Sequence, residues 1–261
     1  MTDARGLPDQ RPSRVRLEWG PTGARALVGE GATATLVIVV DVLSFSTTVT
    51  VACEQGTVVH PYPHRDPTGA QRLARLVGAT LARPRGDGRI SLSPASLTHA
   101  AVDRLVLPSP NGATIAHTLL SAGAPVVAGC LRNASAVAAY ALDHMARSER
   151  HDVVLVPAGE RWPDTSLRPC VEDHLGAGAI TSALLRSEPG LRATLSPEAQ
   201  AAATLWDGTP DPAGAIMAST SGRELIESGW SDDVLIAVQA DVTRALPRLR
   251  DDGLGPAFRA W

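Results

Sequence analysis

The sequence predicts an α/β fold, a three-layer α/β/α arrangement around a largely parallel or mixed sheet. Short, continuously apolar and β-branched runs recur along the 261 residues, Thr35-Leu-Val-Ile-Val-Val40 being the clearest. Such runs belong to strands buried on both faces. Between them lie longer stretches whose apolar residues recur at helical spacing, the alternation that layered α/β proteins show. No composition break or long Pro/Gly linker divides the chain, so 1–261 is expected to form a single domain, with about 1–13 and 251–261 frayed.

Each element follows from a local pattern. Arg14–Trp19 alternates charged and apolar residues, which suits an edge strand with one solvated face. Thr35–Val40 is a buried strand that stops abruptly at Asp41, and Ser46–Glu54 follows as a helix. Further strands are expected over Thr57–His60, Arg104–Leu107, Pro125–Ala128, Asp152–Val156 and Asp233–Val238. Helices are expected over Pro67–Val77, Gly112–Ser121, Ser135–Arg147, Glu172–Leu185, Pro197–Leu205 and Gly222–Ser228. Arg83–Ser96, rich in Gly, Pro and Ser, reads as an irregular loop.

Composition excludes several function classes. With 24 basic and 27 acidic side chains the formal net charge is −3, which argues against nucleic acid as a partner. Two Phe, two Tyr and five Trp offer few platforms for base stacking. No apolar run approaches the roughly 18–20 residues of a membrane-spanning helix, and Leu36–Val40 is only strand-sized. The polar N-terminus lacks a signal-like apolar stretch, so a cytoplasmic location and no membrane partner are expected. Cys53, Cys130 and Cys170 are odd in number and widely spaced, which suggests neither a disulfide framework nor a structural zinc site. Every basic residue is Arg, so a lysine Schiff base or phosphate-loop lysine is excluded.

In open α/β sheets ligands collect beyond the carboxyl ends of the strands. Four polar segments follow the apolar strands here: 41–48, 108–112, 129–135 and 158–162. Asp41 is the sharpest residue, readable either as a helix cap or as a metal ligand or nucleophile. Ser46 and Thr47 lie near a helix start, where hydroxyls and free N–H groups can hold an anion. Asn111, Gly112 and Asn133 are read either as turn and cap residues or as substrate-binding groups. The densest segment, Glu160–Asp173, places Glu160, Glu172 and Asp173 where they can meet Asp41. Carboxylates gathered in one crevice repel unless a cation neutralises them, and all-oxygen ligands suit Mg²⁺ paired with a substrate phosphate. Arg132, Arg161 and Arg168 flank these loops as anion clamps or as salt-bridge partners.

Together, Val39-Val-Asp-Val-Leu-Ser-Phe-Ser-Thr-Thr48, Leu107-Pro-Ser-Pro-Asn-Gly112, Ala158-Gly-Glu-Arg-Trp162 and Val171-Glu-Asp-His-Leu-Gly-Ala-Gly178 resemble the 2-phosphosulfolactate phosphatase (ComB-like) family, over about Thr35–Leu249. The resemblance implies a homodimeric α/β/α phosphatase that uses Mg²⁺ to hydrolyse a small anionic phosphorylated substrate, 2-phospho-3-sulfolactate, to sulfolactate and phosphate. It puts acidic motif residues at Asp41, Glu160, Glu172 and Asp173, and polar ones at Ser46, Thr47, Asn111, Gly112 and Asn133. Asp41, Glu160 and Asp173 are the expected catalytic residues, and all four acids the expected metal ligands. Ser46, Thr47, Asn111, Gly112, Asn133, Arg161 and Arg168 are the expected substrate contacts. Two departures bear on substrate identity. The family pattern often has Arg at Ser44, and Gly-Glu-Arg where this chain reads Arg83-Pro-Arg-Gly-Asp-Gly88. The rival reading is a catalytically silent anion-binding protein of the same fold.

Overall fold

A computed structural model describes residues 10–64, 66–87, 89–98 and 100–260. Most of the expected N-terminal fraying, 1–9, lies outside the described residues. In chain order the elements are β1 (Val15–Leu17), α1 (Gly20–Leu27), β2 (Thr35–Val40), α2 (Phe45–Glu54), β3 (Val58–Tyr62), α3 (Pro67–Leu76), β4 (Thr80–Leu81), β5 (Arg104–Pro108), α4 (Gly112–Ser121), β6 (Val126–Gly129) and α5 (Ala134–Ala146). There follow β7 (Asp152–Pro157), β8 (Glu160–Arg161), β9 (Leu167–Arg168), α6 (Val171–Ser187), α7 (Pro197–Gly208), α8 (Pro212–Ala218), α9 (Thr220–Glu227), α10 (Ser231–Ala237), β10 (Arg248–Asp251) and β11 (Pro256–Arg259).

Among the described residues a nine-stranded mixed sheet runs β1-β7-β2-β6-β10-β11-β3-β5-β4, and β8 pairs with β9 as a separate hairpin. Neighbours within β1-β7-β2-β6 are parallel, as are those within β3-β5-β4. Between the two groups stands the antiparallel β10–β11 hairpin. Because strand side chains alternate between faces, β2 feeds two cores. Leu36, Ile38 and Val40 join a cluster with residues of α5, α6 and α7, while Val37 and Val39 join one with residues of α1, α2 and α4. Helices on both faces of the sheet make the three layers expected from the sequence.

Three local expectations differ from the structure. Asp233–Val238 is not a strand but belongs largely to α10: Val234 and Ala237 are buried while Leu235 is 48% exposed, a helical spacing. A short apolar run does not by itself distinguish strand from helix. Strand β1 has no solvated face; all three residues are buried. The Arg16 guanidinium donates to the Leu27 carbonyl (3.0 Å) and to Asp152 (2.7 Å), which satisfies a charge in the interior. The outer edge of β1 is also used, since Arg14 N–H donates to Thr194 O and Ser196 N–H to Val15 O, both at 2.8 Å. Finally, among the described residues the segment 251–260 is not frayed, because β10 and β11 complete the centre of the sheet.

Candidate active site

Beyond Val40 the backbone turns sharply, and the turn is held by its own polar groups. Asp41 N–H donates to Ser46 Oγ (3.1 Å), the Ser46 hydroxyl donates to Val39 O (2.8 Å), and Ser46 N–H donates to Asp41 O (2.8 Å). Thr47 Oγ1 donates to Val42 O at 2.7 Å. Two amides fix the Asp41 carboxylate: Phe45 N–H donates to Oδ1 (3.0 Å) and Gly112 N–H to Oδ2 (3.1 Å). Only glycine allows that approach at 112, because a Cβ there would overlap the Phe45 ring and lie 2.9 Å from Asp41 Oδ2. Asp173, in the first turn of α6, accepts Val42 N–H on Oδ1 (2.7 Å) and Gly159 N–H on Oδ2 (2.8 Å). Asn111 donates its side-chain amide to Glu160 Oε2 at 2.9 Å instead of capping α4.

The result is a carboxylate cluster at the end of β2. Asp41, Glu172 and Asp173 are 6%, 3% and 4% exposed, and Glu160 is half-buried at the start of β8. Burial pushes the Asp41 carboxyl up to about 7; the Phe45 amide works against this, Glu160 adds to it, the Gly112 amide opposes, and Glu172 adds again. Asp173 is likewise raised well above the ordinary aspartate range by burial and then by Asp41 and Glu172. For Glu160 burial raises the pKa, while the Asn111 bond and Arg168 pull it back. Among the described residues no three His, Cys, Asp or Glu side chains are placed to hold a metal ion together. Cysteine chemistry is disfavoured at the same spot, since burial, with the charges of Glu172 and Asp173, raises the Cys170 thiol to about 12.

Not every residue expected here faces the cluster. Ser46, Thr47 and Asn133 are fully enclosed at 0% exposure. The hydroxyls of Ser46 and Thr47 serve the turn, and Asn133 ties down the loop after β6 by accepting Cys130 N–H and donating to Ala128 O and Ala245 O. Arg161 is exposed and donates to Thr165 O within its own hairpin. Arg168 lies closer, stacked over Trp162 with its guanidinium carbon 5.8 Å from the ring centroid, and donates to Ser221 Oγ at 3.4 Å. Arg132 is taken up by Ile236 O, Gln239 and Glu54.

The family model for 2-phosphosulpholactate phosphatase matches residues 24–252. The chain belongs to the 2-phosphosulfolactate phosphatase family. A probable 2-phosphosulfolactate phosphatase of Deinococcus radiodurans is 30% identical over 224 residues, covering 81% of this chain and 86% of that protein. The 2-phosphosulfolactate phosphatase of Methanothermobacter thermautotrophicus is 32% identical over 220 residues, covering 83% and 87%. As a member of this phosphatase family the chain is a hydrolase of phosphate esters. The matched span holds all four clustered carboxylates, whereas β1 and β11 lie outside it.

Sequence reasoning missed part of the surroundings. Arg85 donates from Nη2 to Ser44 Oγ (2.9 Å) and from Nε to Asp233 Oδ2 (3.0 Å), so a guanidinium stands beside the position where the family pattern often has Arg. Glu224 of α9 acts on Glu160 through its charge. Neither residue carries a local signal: Arg85 sits in an irregular loop, and its partner Asp233 was expected in a strand.

Proposed function

We propose that this protein is a Mg²⁺-dependent phosphatase that hydrolyses a small 2-phospho acid, 2-phosphosulfolactate foremost, to the 2-hydroxy acid and phosphate. The supporting observation is the cluster itself: three buried carboxylates and a fourth at their rim, in a chain without lysine. Burial, aided by the neighbouring acids, raises the Asp41 and Asp173 carboxyls, and a bound cation would oppose that shift. The donor set is all oxygen, as a hard cation requires, and Mg²⁺ ordinarily takes one or two carboxylates and fills its remaining positions with water and substrate phosphate. The lack of a three-side-chain group among the described residues therefore suits it. One or two carboxylates drawn from Asp41, Glu160, Glu172 and Asp173 would hold the ion, which when bound would supply neutralisation of the charge on the phosphoryl oxygens.

Asp41 is the residue on which we place turnover, as nucleophile or as ligand. The Phe45 and Gly112 amides fix both of its oxygens, so the carboxylate is oriented before substrate arrives, and such preorganisation is where phosphoryl-transfer enzymes gain most of their rate. Asn111 orients Glu160, and Arg168 offers a guanidinium to the substrate from the β8–β9 hairpin. Three buried, unpaired cysteines support a reducing, cytoplasmic setting.

The test is phosphate release from racemic 2-phosphosulfolactate and a panel of 2-phospho acids, with Mg²⁺ and with chelator. Release is expected to be chelator-sensitive and to fall by about 10³-fold or more in Asp41→Asn, the loss typical of removing a central electrostatic or nucleophilic group. No release from any substrate, with metal-independent anion binding retained, would establish the silent binding protein instead. Trapping of phosphorylated Asp41 distinguishes a covalent intermediate from direct attack by water.

A further inference from the structure

We propose that Arg85 is a specificity-determining residue that takes the acid group the substrate keeps, its carboxylate or sulfonate, and that Asp233 is a positioning residue acting through it. The inference rests on the 2-phospho-acid reading above and adds a second anchoring point to it. A cluster of four carboxylates repels every substrate anion that a cation does not screen, so an acid group retained through the reaction needs a positive partner set apart from them. In a lysine-free chain that partner is an arginine.

Arg85 has the right place and the right restraint. Ser44, its hydroxyl partner, is the N-cap residue of α2, three positions after Asp41, so the guanidinium is tied to the same turn that carries that carboxylate. Asp233, its carboxylate partner, is 1% exposed and is itself held, its Oδ1 accepting the Ser93 hydroxyl and Ala95 N–H. A buried carboxylate with fixed donors on one oxygen and Arg85 on the other sets the guanidinium in one orientation. Only Nε and Nη2 of Arg85 are engaged among the described residues, although a guanidinium carries five N–H groups. The side chain keeps 23% exposure and lines a cavity of about 390 Å³ with Arg83, His64, Asp66, Leu81, Leu92 and Pro108, the Asp66 carboxylate being engaged by the Thr68 and Gly69 amides. An apolar wall with a fixed, planar, forked donor is how a small pocket selects a carboxylate or sulfonate. Arg168 stands apart from this anchor, stacked on Trp162 and bonded to Ser221.

Binding of racemic sulfolactate, which carries both acid groups and no phosphate, tests this by titration calorimetry on native protein, Asp233→Asn, Arg85→Lys, Arg85→Ala and Arg85→Ala/Asp233→Asn. The double variant keeps the interior free of an unpaired charge, and so serves as the folded control should Arg85→Ala alone fail to fold. Sulfolactate affinity is expected to drop about tenfold or more without Arg85 and less in Arg85→Lys, the loss of a charge-assisted bond, while inorganic phosphate affinity moves less than about twofold. Asp233→Asn is expected to weaken sulfolactate binding when Arg85 is present and to have no further effect when it is absent. The inference is overturned if native protein does not bind sulfolactate, if a folded variant lacking Arg85 binds it as native does, or if phosphate affinity falls equally. Phosphate release on the same proteins keeps the two readings apart: Arg85-dependent sulfolactate binding without any release would sink the proposed reaction and leave this inference standing.

Discussion

With its carboxyl held at about 7, Asp41 keeps a proton over a range where the unfolded residue is already ionised. The folded state then binds more protons than the unfolded one between about pH 4 and 7, so Asp41's contribution to stability is complete below that window and lost as pH rises through it. Asp173 shifts in the same direction. Asp252 behaves oppositely: although burial would raise it, bonds from Arg104, the Leu254 amide and Arg259 hold it at about 2, so its contribution is lost only in stronger acid. In chelator, the melting temperature of native protein is therefore expected to fall relative to that of Asp41→Asn from pH 4 to 7. Mg²⁺ should recover more of it at pH 8 than at pH 5, and equal recovery at both would refute the cation reading. Gly112→Ala tests the geometry: the new Cβ displaces Phe45 or Asp41, so phosphate release should fall far more than the melting temperature does. The four acids were legible because each follows a strand or opens a helix. Ser46 and Thr47 looked like anion ligands for the same reason, yet a tight turn with unpaired backbone carbonyls took their hydroxyls. Arg85 was illegible because its bond to Asp233 spans 148 residues.

Elements carry the site as rigid parts. Helix α6 brings Glu172 and Asp173 to the end of β2, and its own position is set by α7. At Gly178 the two helices touch so closely that a Cβ would strike the Ala202 carbonyl and lie 2.9 Å from Trp206 Cβ. Gly178→Ala is expected to force the pair apart and to cost about 1–3 kcal/mol, the usual range for overpacking. Urea denaturation reads that cost, and an unchanged midpoint would show the contact to be soft. Most elements were readable from the sequence because their periodicity and their burial agree. Two of those misread, β1 and α10, are where they disagree: the charge in β1 found partners inside, and an apolar run in α10 was too short to reveal its period.

For the molecule as a whole, the β10–β11 hairpin joins two groups of parallel strands that have no direct pairing among the described residues. Phe258 is fully buried there, its ring edge-on to Phe45 at 6.0 Å between centroids, which links the centre of the sheet to the helix that follows Asp41. Phe258→Ala is expected to cost about 3–5 kcal/mol, the usual loss for a core phenylalanine, and so to lower the melting temperature by about 10 °C for a chain of this size. A shift of a degree or less would show the hairpin to be dispensable. Nothing local announced this role, because the hairpin's pairing partners, β6 and β3, lie far back in the chain. The same connectivity bears on how the protein is made. While the chain emerges from the ribosome, β6 and β3 are complete long before the hairpin that pairs with both, so each waits with an open, hydrogen-bonding edge. Unpaired edges of this kind are where nascent chains cross-pair and aggregate, so both edges are at risk until residues 248–259 are made and pair with them.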